Sequence, residues 1–187
     1  MIETKELNET QQKLFETLVF LTKLLVAGIV FRAILWIYPD TKLLQSFLGD
    51  LISAMLNSSG IESVKQGIYI YIGDTPYVIT QDCLGWKSLA AFTGLVYAST
   101  SRTLEHLNFI LQGFAVILLA NIIRVYSTVF LAEKGIISFQ VIHDVLWSWS
   151  LTLLVLIIWA YWFTRMKDRE PFFQRKIKER VKRIRQR

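Results

Sequence analysis

The sequence predicts an all-α membrane protein: a bundle of about four transmembrane helices with interfacial helices and an external β-hairpin. Three observations predict it. Apolar residues make up 53% of the 187-residue chain, with six Trp, seven Tyr and twelve Phe. A soluble chain of this length cannot bury that much apolar surface, so lipid is the solvent for much of it. The net charge of +6 is concentrated after Phe163 rather than spread along the chain. Apolar stretches of spanning length also recur, and the chain reads as one integral membrane domain over residues 1–187.

Residues 1–17 are polar and of mixed charge, and read as helical. The first span covers residues 18–38, apolar apart from Thr22, Lys23 and Arg32, with Trp36 and Tyr38 as an aromatic belt before the breaker Pro39. The run is long, carries Lys23 and lacks a small-residue cleavage site, so it is expected to be a retained anchor. From Thr41 to Leu56, a single helical face gathers Leu43, Leu44, Phe47, Leu48, Leu51 and Met55, while Gln45, Ser46, Gly49 and Asp50 mostly fall elsewhere. That pattern predicts a helix lying on the membrane. Between Gly67 and Thr80, Ile68, Ile70 and Ile72 alternate with Tyr69 and Tyr71, Gly73-Asp74-Thr75-Pro76 turns, and Tyr77-Val78-Ile79-Thr80 resumes. This is a hairpin signal, and a hairpin needs a surface to pack on. Three further spans are predicted over residues 84–100, 107–132 and 139–163, followed by the basic tail 165–187.

Charge orients these spans. The tail carries eleven Lys and Arg residues against Asp168, Glu170 and Glu179, so the positive-inside rule makes it cytoplasmic. Phe173, Ile177, Val181 and Ile184 recur in it at helical spacing, which lays it along anionic lipid headgroups of the inner leaflet. A basic tail can also bind nucleic acid, but this one directly follows a span, and no nucleic-acid partner is expected. Counting back, the Ser101–His106 loop with Arg102 is inside, and the Glu133–Ser138 loop and the 41–80 region are outside. Lys23 is near the inner face, and Cys83 stands at the outer end of its helix.

In this topology three polar residues from three helices share an outer layer. Cys83, the sole cysteine, follows Asp82, a suitable helix N-cap. The positive helix end, and Lys87 one turn on, favour a thiolate. An inert, buried cysteine is the usual case in a membrane helix; the polar, external helix start weighs toward a nucleophile. Arg124 falls on a stripe with Asn121, Ser127 and Thr128, about 12 Å below Ala132 at the helical rise. A charge inside a span normally faces the bundle interior; the alternatives are a structural ion pair or a snorkelling arginine. His143, about one turn inside its span, has the correct face for a general acid or base, whereas His106 is on the inner side. Asp144 points away from its neighbour His143. Arg32, roughly 9 Å below the outer end of its span, either joins the cluster or snorkels. Trp147 and Trp149 read as outer-belt aromatics. One Cys and two His on opposite faces do not make a metal-ligand set, and neither metal nor cofactor is expected.

The run Asp82-Cys83-Leu84-Gly85-Trp86-Lys87-Ser88-Leu89, then Asn121-Ile122-Ile123-Arg124, then His143-Asp144, resembles the exosortase/archaeosortase family of multi-pass membrane cysteine enzymes. The resemblance covers residues from about 80 to 163, with Lys87 standing where the family often has arginine. It implies that Cys83 is the nucleophile, Arg124 the essential arginine and His143 the third site residue, with Lys87, Asn121 and Asp82 in support. It further implies a cell-membrane protease or transpeptidase acting on the extracytoplasmic side. Exported proteins with a C-terminal sorting signal would be cleaved through a thioester on Cys83 and passed to an acceptor, such as a membrane lipid, or to water. Two other readings stay open: an acyltransferase using the same cysteine on another acyl donor, and a non-enzymatic membrane scaffold. Transport has no support, since paired broken helices and repeats are not apparent.

Overall fold

The computed structural model describes residues 9–37, 40–100, 106–136 and 149–167. They are mostly helical: α1 (Glu9–Ile37), α2 (Lys42–Ser58), α3 (Trp86–Ser99), α4 (Leu107–Glu133) and α5 (Leu151–Lys167). Between α2 and α3 lie strands β1 (Val64–Gln66), β2 (Tyr69–Ile72) and β3 (Thr75–Val78), and a 3₁₀ turn, Gln81–Leu84. Among the described residues two helical stretches are long and apolar enough to cross a membrane, Lys13–Ile34 in α1 and Leu107–Glu133; Leu151–Arg165 is apolar but shorter. The expected span at 84–100 is the main departure. Its helix starts only at Trp86 and has 14 residues, a rise of about 21 Å against a hydrocarbon core of about 30 Å. The first part of the expected 139–163 span, with the basic tail beyond Lys167, lies outside the described residues.

Helix α3 packs against α1, α4 and α5. Small residues set the close approaches. At Gly94 a methyl group would sit 3.5 Å from Ala27 Cβ and 3.6 Å from Leu24 Cδ1, so α1 and α3 touch almost backbone to backbone. At Gly113 a methyl group would fall 2.4 Å from the Phe92 ring. That ring, wholly buried, fills the space that α4 leaves open. Around it gather Val96, Ile110, Ile117, Val155 and Trp162. Polar groups tie the ends: Lys23 Nζ donates to the Thr100 carbonyl at 3.0 Å, and Trp159 Nε1 donates to Ser99 Oγ at 2.9 Å. The ammonium thereby satisfies a carbonyl just past the C-terminal end of α3, where the helix dipole favours a cation. None of the apolar window in α1 is buried against protein, the exposure expected of a lipid-facing helix.

The hairpin is present and gains a third strand. The sheet is antiparallel in the order β1-β2-β3, with Gln66 opposite Tyr69 and Ile72 opposite Thr75. Each two-residue turn begins with a glycine at positive φ, Gly67 at 61° and Gly73 at 55°, as tight hairpins require. Side chains alternate: Ile70 and Ile79 are buried, while Tyr69 and Val78 face outward. The buried face packs with Leu48, Ile52 and Leu56 of α2 and Val125 and Val129 of α4. Helix α2 therefore has two faces. Gln45, Leu48, Gly49, Ile52, Ser53 and Leu56 are buried, whereas Leu43, Leu44 and Phe47 stay exposed. The apolar stripe expected from sequence is thus split. Leu48 turns to the sheet, the exposed leucines and Phe47 form the stripe's other half, and Gln45 earns burial by donating to the Ile79 carbonyl at 2.8 Å.

The ladder fixes which backbone groups of β3 are used. Ile79 N–H donates to the Ile68 carbonyl at 2.8 Å, so residues 75, 77 and 79 exchange hydrogen bonds with β2. Pro76 and Val78 turn their backbone groups to the other edge. That is why a proline, which has no N–H, fits inside this strand.

Candidate active site

The chain reaches Cys83 through the end of β3. Thr80 is extended, and the Cys83 amide donates back to the Thr80 carbonyl at 3.0 Å, starting the 3₁₀ turn. The two side chains face each other, with Thr80 Oγ1 3.4 Å from Cys83 Sγ. Gly85 then takes φ 71° and separates this turn from α3. A side chain there would be strained by the left-handed backbone, and its Cβ would lie 2.9 Å from Asn121 Cγ. Glycine at this position lets α4 approach the cysteine turn.

Asn121 uses that approach. Only 1% exposed, it donates from Nδ2 to the Cys83 carbonyl at 2.7 Å and accepts from Arg124 Nη2 through Oδ1 at 2.8 Å. The amide orientation is dictated, because a carbonyl can only accept and a guanidinium can only donate. One carboxamide thus links the backbone of the cysteine to the guanidinium of a different element. Arg124 is buried, within electrostatic reach of Cys83 and Asp82.

A cavity of about 400 Å³ opens here. Its walls are residues 75–80, from β3 into the turn that follows, with Cys83, and Arg124, Val125, Thr128 and Val129 on α4. All four residues of β3 line it, so the strand presents its edge, since one face of a strand would contribute only alternate residues. Tyr77, one of the lining residues, donates its hydroxyl to the Glu133 carboxylate at the end of α4. Burial, and the proximity of that carboxylate, push the Tyr77 phenol up to about 12.

The sequence-predicted residues divide into three groups. Cys83, Asn121 and Arg124 come together. Asp82 and Lys87 do not serve the thiol as expected. They pair with each other at 2.6 Å on the surface, their side chains 41% and 62% exposed. Asp82 is no cap, because the turn begins a residue earlier and Gly85 occupies the position before α3. Cys83 likewise precedes the helix instead of opening it. Arg32 is exposed and does not line the cavity. His106 sits before α4, edge-on to Trp162 at 5.1 Å. His143 and its neighbours Asp144 and Trp147 lie outside the described residues. Thr80, Tyr77 and Glu133 were missed in sequence. Thr80 had a signal, a hydroxyl three residues before the cysteine; the Tyr77–Glu133 bond joins distant segments and had none. Among the described residues no group of three or more His, Cys, Asp or Glu is placed to hold a metal ion.

The pattern described as transmembrane exosortase (Exosortase_EpsH) matches residues 10–161. The chain belongs to the transmembrane exosortase family. Membership assigns this exosortase, broadly, a membrane transpeptidase-like role. The matched region spans α1 through most of α5, so the sheet and both sides of the cavity lie inside it. No curated protein and no solved structure matches the chain.

Proposed function

We propose that this exosortase cleaves the C-terminal sorting signal of exported proteins through a thioester on Cys83 and transfers the new C-terminus to an acceptor. The observation that carries this reading is the Asn121 bridge between Cys83 and Arg124, set in a cavity large enough for a peptide segment. Cys83 Sγ attacks the scissile carbonyl carbon, and the developing oxyanion meets the Arg124 guanidinium, a fixed charge held beside the nucleophile's turn. The carbon–nitrogen bond then breaks, and the departing amine takes a proton; His143 is assigned that transfer. An amine acceptor, on a membrane lipid for instance, or water attacks the thioester carbonyl, the carbon–sulfur bond breaks, and the proton given up by the attacking group restores the Cys83 thiol. Thr80 Oγ1 holds the sulfur in line between the two steps.

The proposed topology follows charge. The basic tail lies on the cytoplasmic side against anionic lipid, α1 and α4 cross the bilayer, the shorter α3 runs within it packed on α1, α4 and α5, and the cavity opens on the extracytoplasmic side. Helix α2 rests its exposed Leu43, Leu44 and Phe47 in the outer interface. The test is co-expression of the full chain with an exported reporter that ends in a short motif, a membrane span and basic residues. Wild type shortens the reporter, and Cys83→Ala and Arg124→Ala leave it full length in the membrane. Processing that persists in Cys83→Ala ends the proposal.

A further inference from the structure

We propose that the free edge of β3 is the binding strand for the peptide segment just before the scissile bond, which adds alongside it in parallel orientation. The inference rests on the transpeptidase reading of Cys83 and specifies how that site holds its substrate.

Three observations carry it. First, the edge is unused: the ladder consumes the backbone groups of residues 75, 77 and 79, so the Val78 N–H and carbonyl and the Pro76 carbonyl point away from β2. Among the described residues no backbone hydrogen bond from another element reaches Pro76 or Val78. Second, this edge borders the cavity along its whole length, and the strand ends at the turn that carries Cys83. An extended peptide paired with β3 is thereby led to the sulfur. Third, the direction is set by α4. Tyr77 bonds to Glu133 at the helix end, whereas Cys83 bonds to Asn121, twelve residues earlier; that separation is about 18 Å along the axis. Chain direction along β3 therefore runs from the end of α4 down toward its middle. A sorting signal that leads from an exported domain into a membrane span travels the same way, so it lies parallel to β3.

Parallel pairing gives definite contacts. The Val78 N–H donates to one peptide carbonyl, and the Val78 carbonyl accepts the N–H two residues further on, straddling the penultimate residue before the scissile bond. Alternate peptide side chains face Val125 and Val129, so the recognition segment favours small or β-branched apolar residues at alternate positions.

Cys83 is the only thiol in the chain, which makes alkylation an unambiguous readout. The purified full chain in lipid nanodiscs is treated with an acetyl-valyl-alanyl-valyl-alanyl chloromethyl ketone and, separately, with an acetyl-alanyl chloromethyl ketone. In each the sulfur displaces chloride from the methylene carbon, forming a carbon–sulfur bond with loss of chloride. The longer reagent is expected to react about fivefold faster, the worth of the one net hydrogen bond from the Val78 N–H that the short reagent cannot accept. Val78→Pro removes the edge N–H without touching the ladder to β2, and should bring the ratio of the two rates near one. A second arm leaves the protein unaltered: replacing the last valyl–alanyl amide of the long reagent by an ester removes the N–H offered to the Val78 carbonyl, and should slow the long reagent several-fold. Equal rates for the two reagents, or an ester reagent as fast as the amide, overturn the edge proposal and leave the transpeptidase reading standing. If neither reagent reaches the sulfur, both fall.

Discussion

Replacing Asn121 by alanine tests the geometry of the site most sharply. Asn121 is 1% exposed and makes two hydrogen bonds, 2.7 Å to the Cys83 carbonyl and 2.8 Å from Arg124. The neutral bond contributes about 1 kcal/mol and the one to the guanidinium about 2, and truncation strands both partners in a buried setting. The expected loss is therefore about 3 kcal/mol, the upper range for a single polar substitution. In detergent micelles, with unfolding followed by tryptophan fluorescence, the variant should melt roughly 6–12 °C lower. Turnover of the tailed reporter should fall by roughly two orders of magnitude at unchanged KM, because the loss is in alignment of sulfur and guanidinium rather than in substrate contact. Asn121→Asp separates the two bonds. It still accepts from Arg124 but faces the Cys83 carbonyl with a second acceptor, so it should keep the arginine in place and displace the cysteine turn. A variant that melts within roughly 2 °C of the parent and turns over normally would refute the bridge as the organising contact.

Gly113→Ala should destabilise the bundle by about 1–3 kcal/mol through overpacking against Phe92, and Phe92→Leu should recover part of it; thermal unfolding of the single and double variants checks both. Gly85→Ala adds left-handed strain to a collision with Asn121, so reporter processing should drop further than the melting temperature alone accounts for. In an ultraviolet titration one of the seven tyrosines should ionise near pH 12, and Tyr77→Phe should remove that step. The sign follows from the raised value: the folded state holds the Tyr77 proton more tightly than the unfolded chain, whose phenol titrates near 10. The Tyr77–Glu133 contribution is thus complete below about pH 10 and lost as pH climbs through about 12, which melting curves across that window will show.

Much of the fold was legible because its signals are local. Continuous apolar runs marked α1 and α4, and period-two alternation with glycine turns marked β2 and β3. Strand β1 escaped because Val64-Lys65-Gln66 has neither signal; it forms by pairing with β2 and by the Lys65–Asp50 contact at 2.8 Å. The start of α3 was misplaced for a related reason. Nothing in the run around Cys83 announces that Gly85 must turn left-handed, since the cause is Asn121 arriving from another helix. Cys83 stood out as the lone thiol at a polar helix start, and Arg124 as a charge within an apolar run, costly without a partner. Lys87 was assigned to the thiol on helical spacing, but spacing cannot tell which neighbour a flexible ammonium prefers, and the exposed Asp82 carboxylate wins. The split face of α2 shows the same limit: sequence gives an apolar stripe, whereas its division between sheet and lipid depends on where the sheet packs.

The proposed transpeptidation requires an acyl group to pass through the sulfur of Cys83. Intact-protein mass spectrometry of the chain, isolated from cells that also make the tailed reporter, tests this directly. The prediction is an adduct on Cys83 with the mass of the reporter's acyl portion, released by hydroxylamine and missing from Cys83→Ala. Reporter that is shortened at the normal rate while Cys83 carries no such adduct, even under rapid quenching, would contradict it.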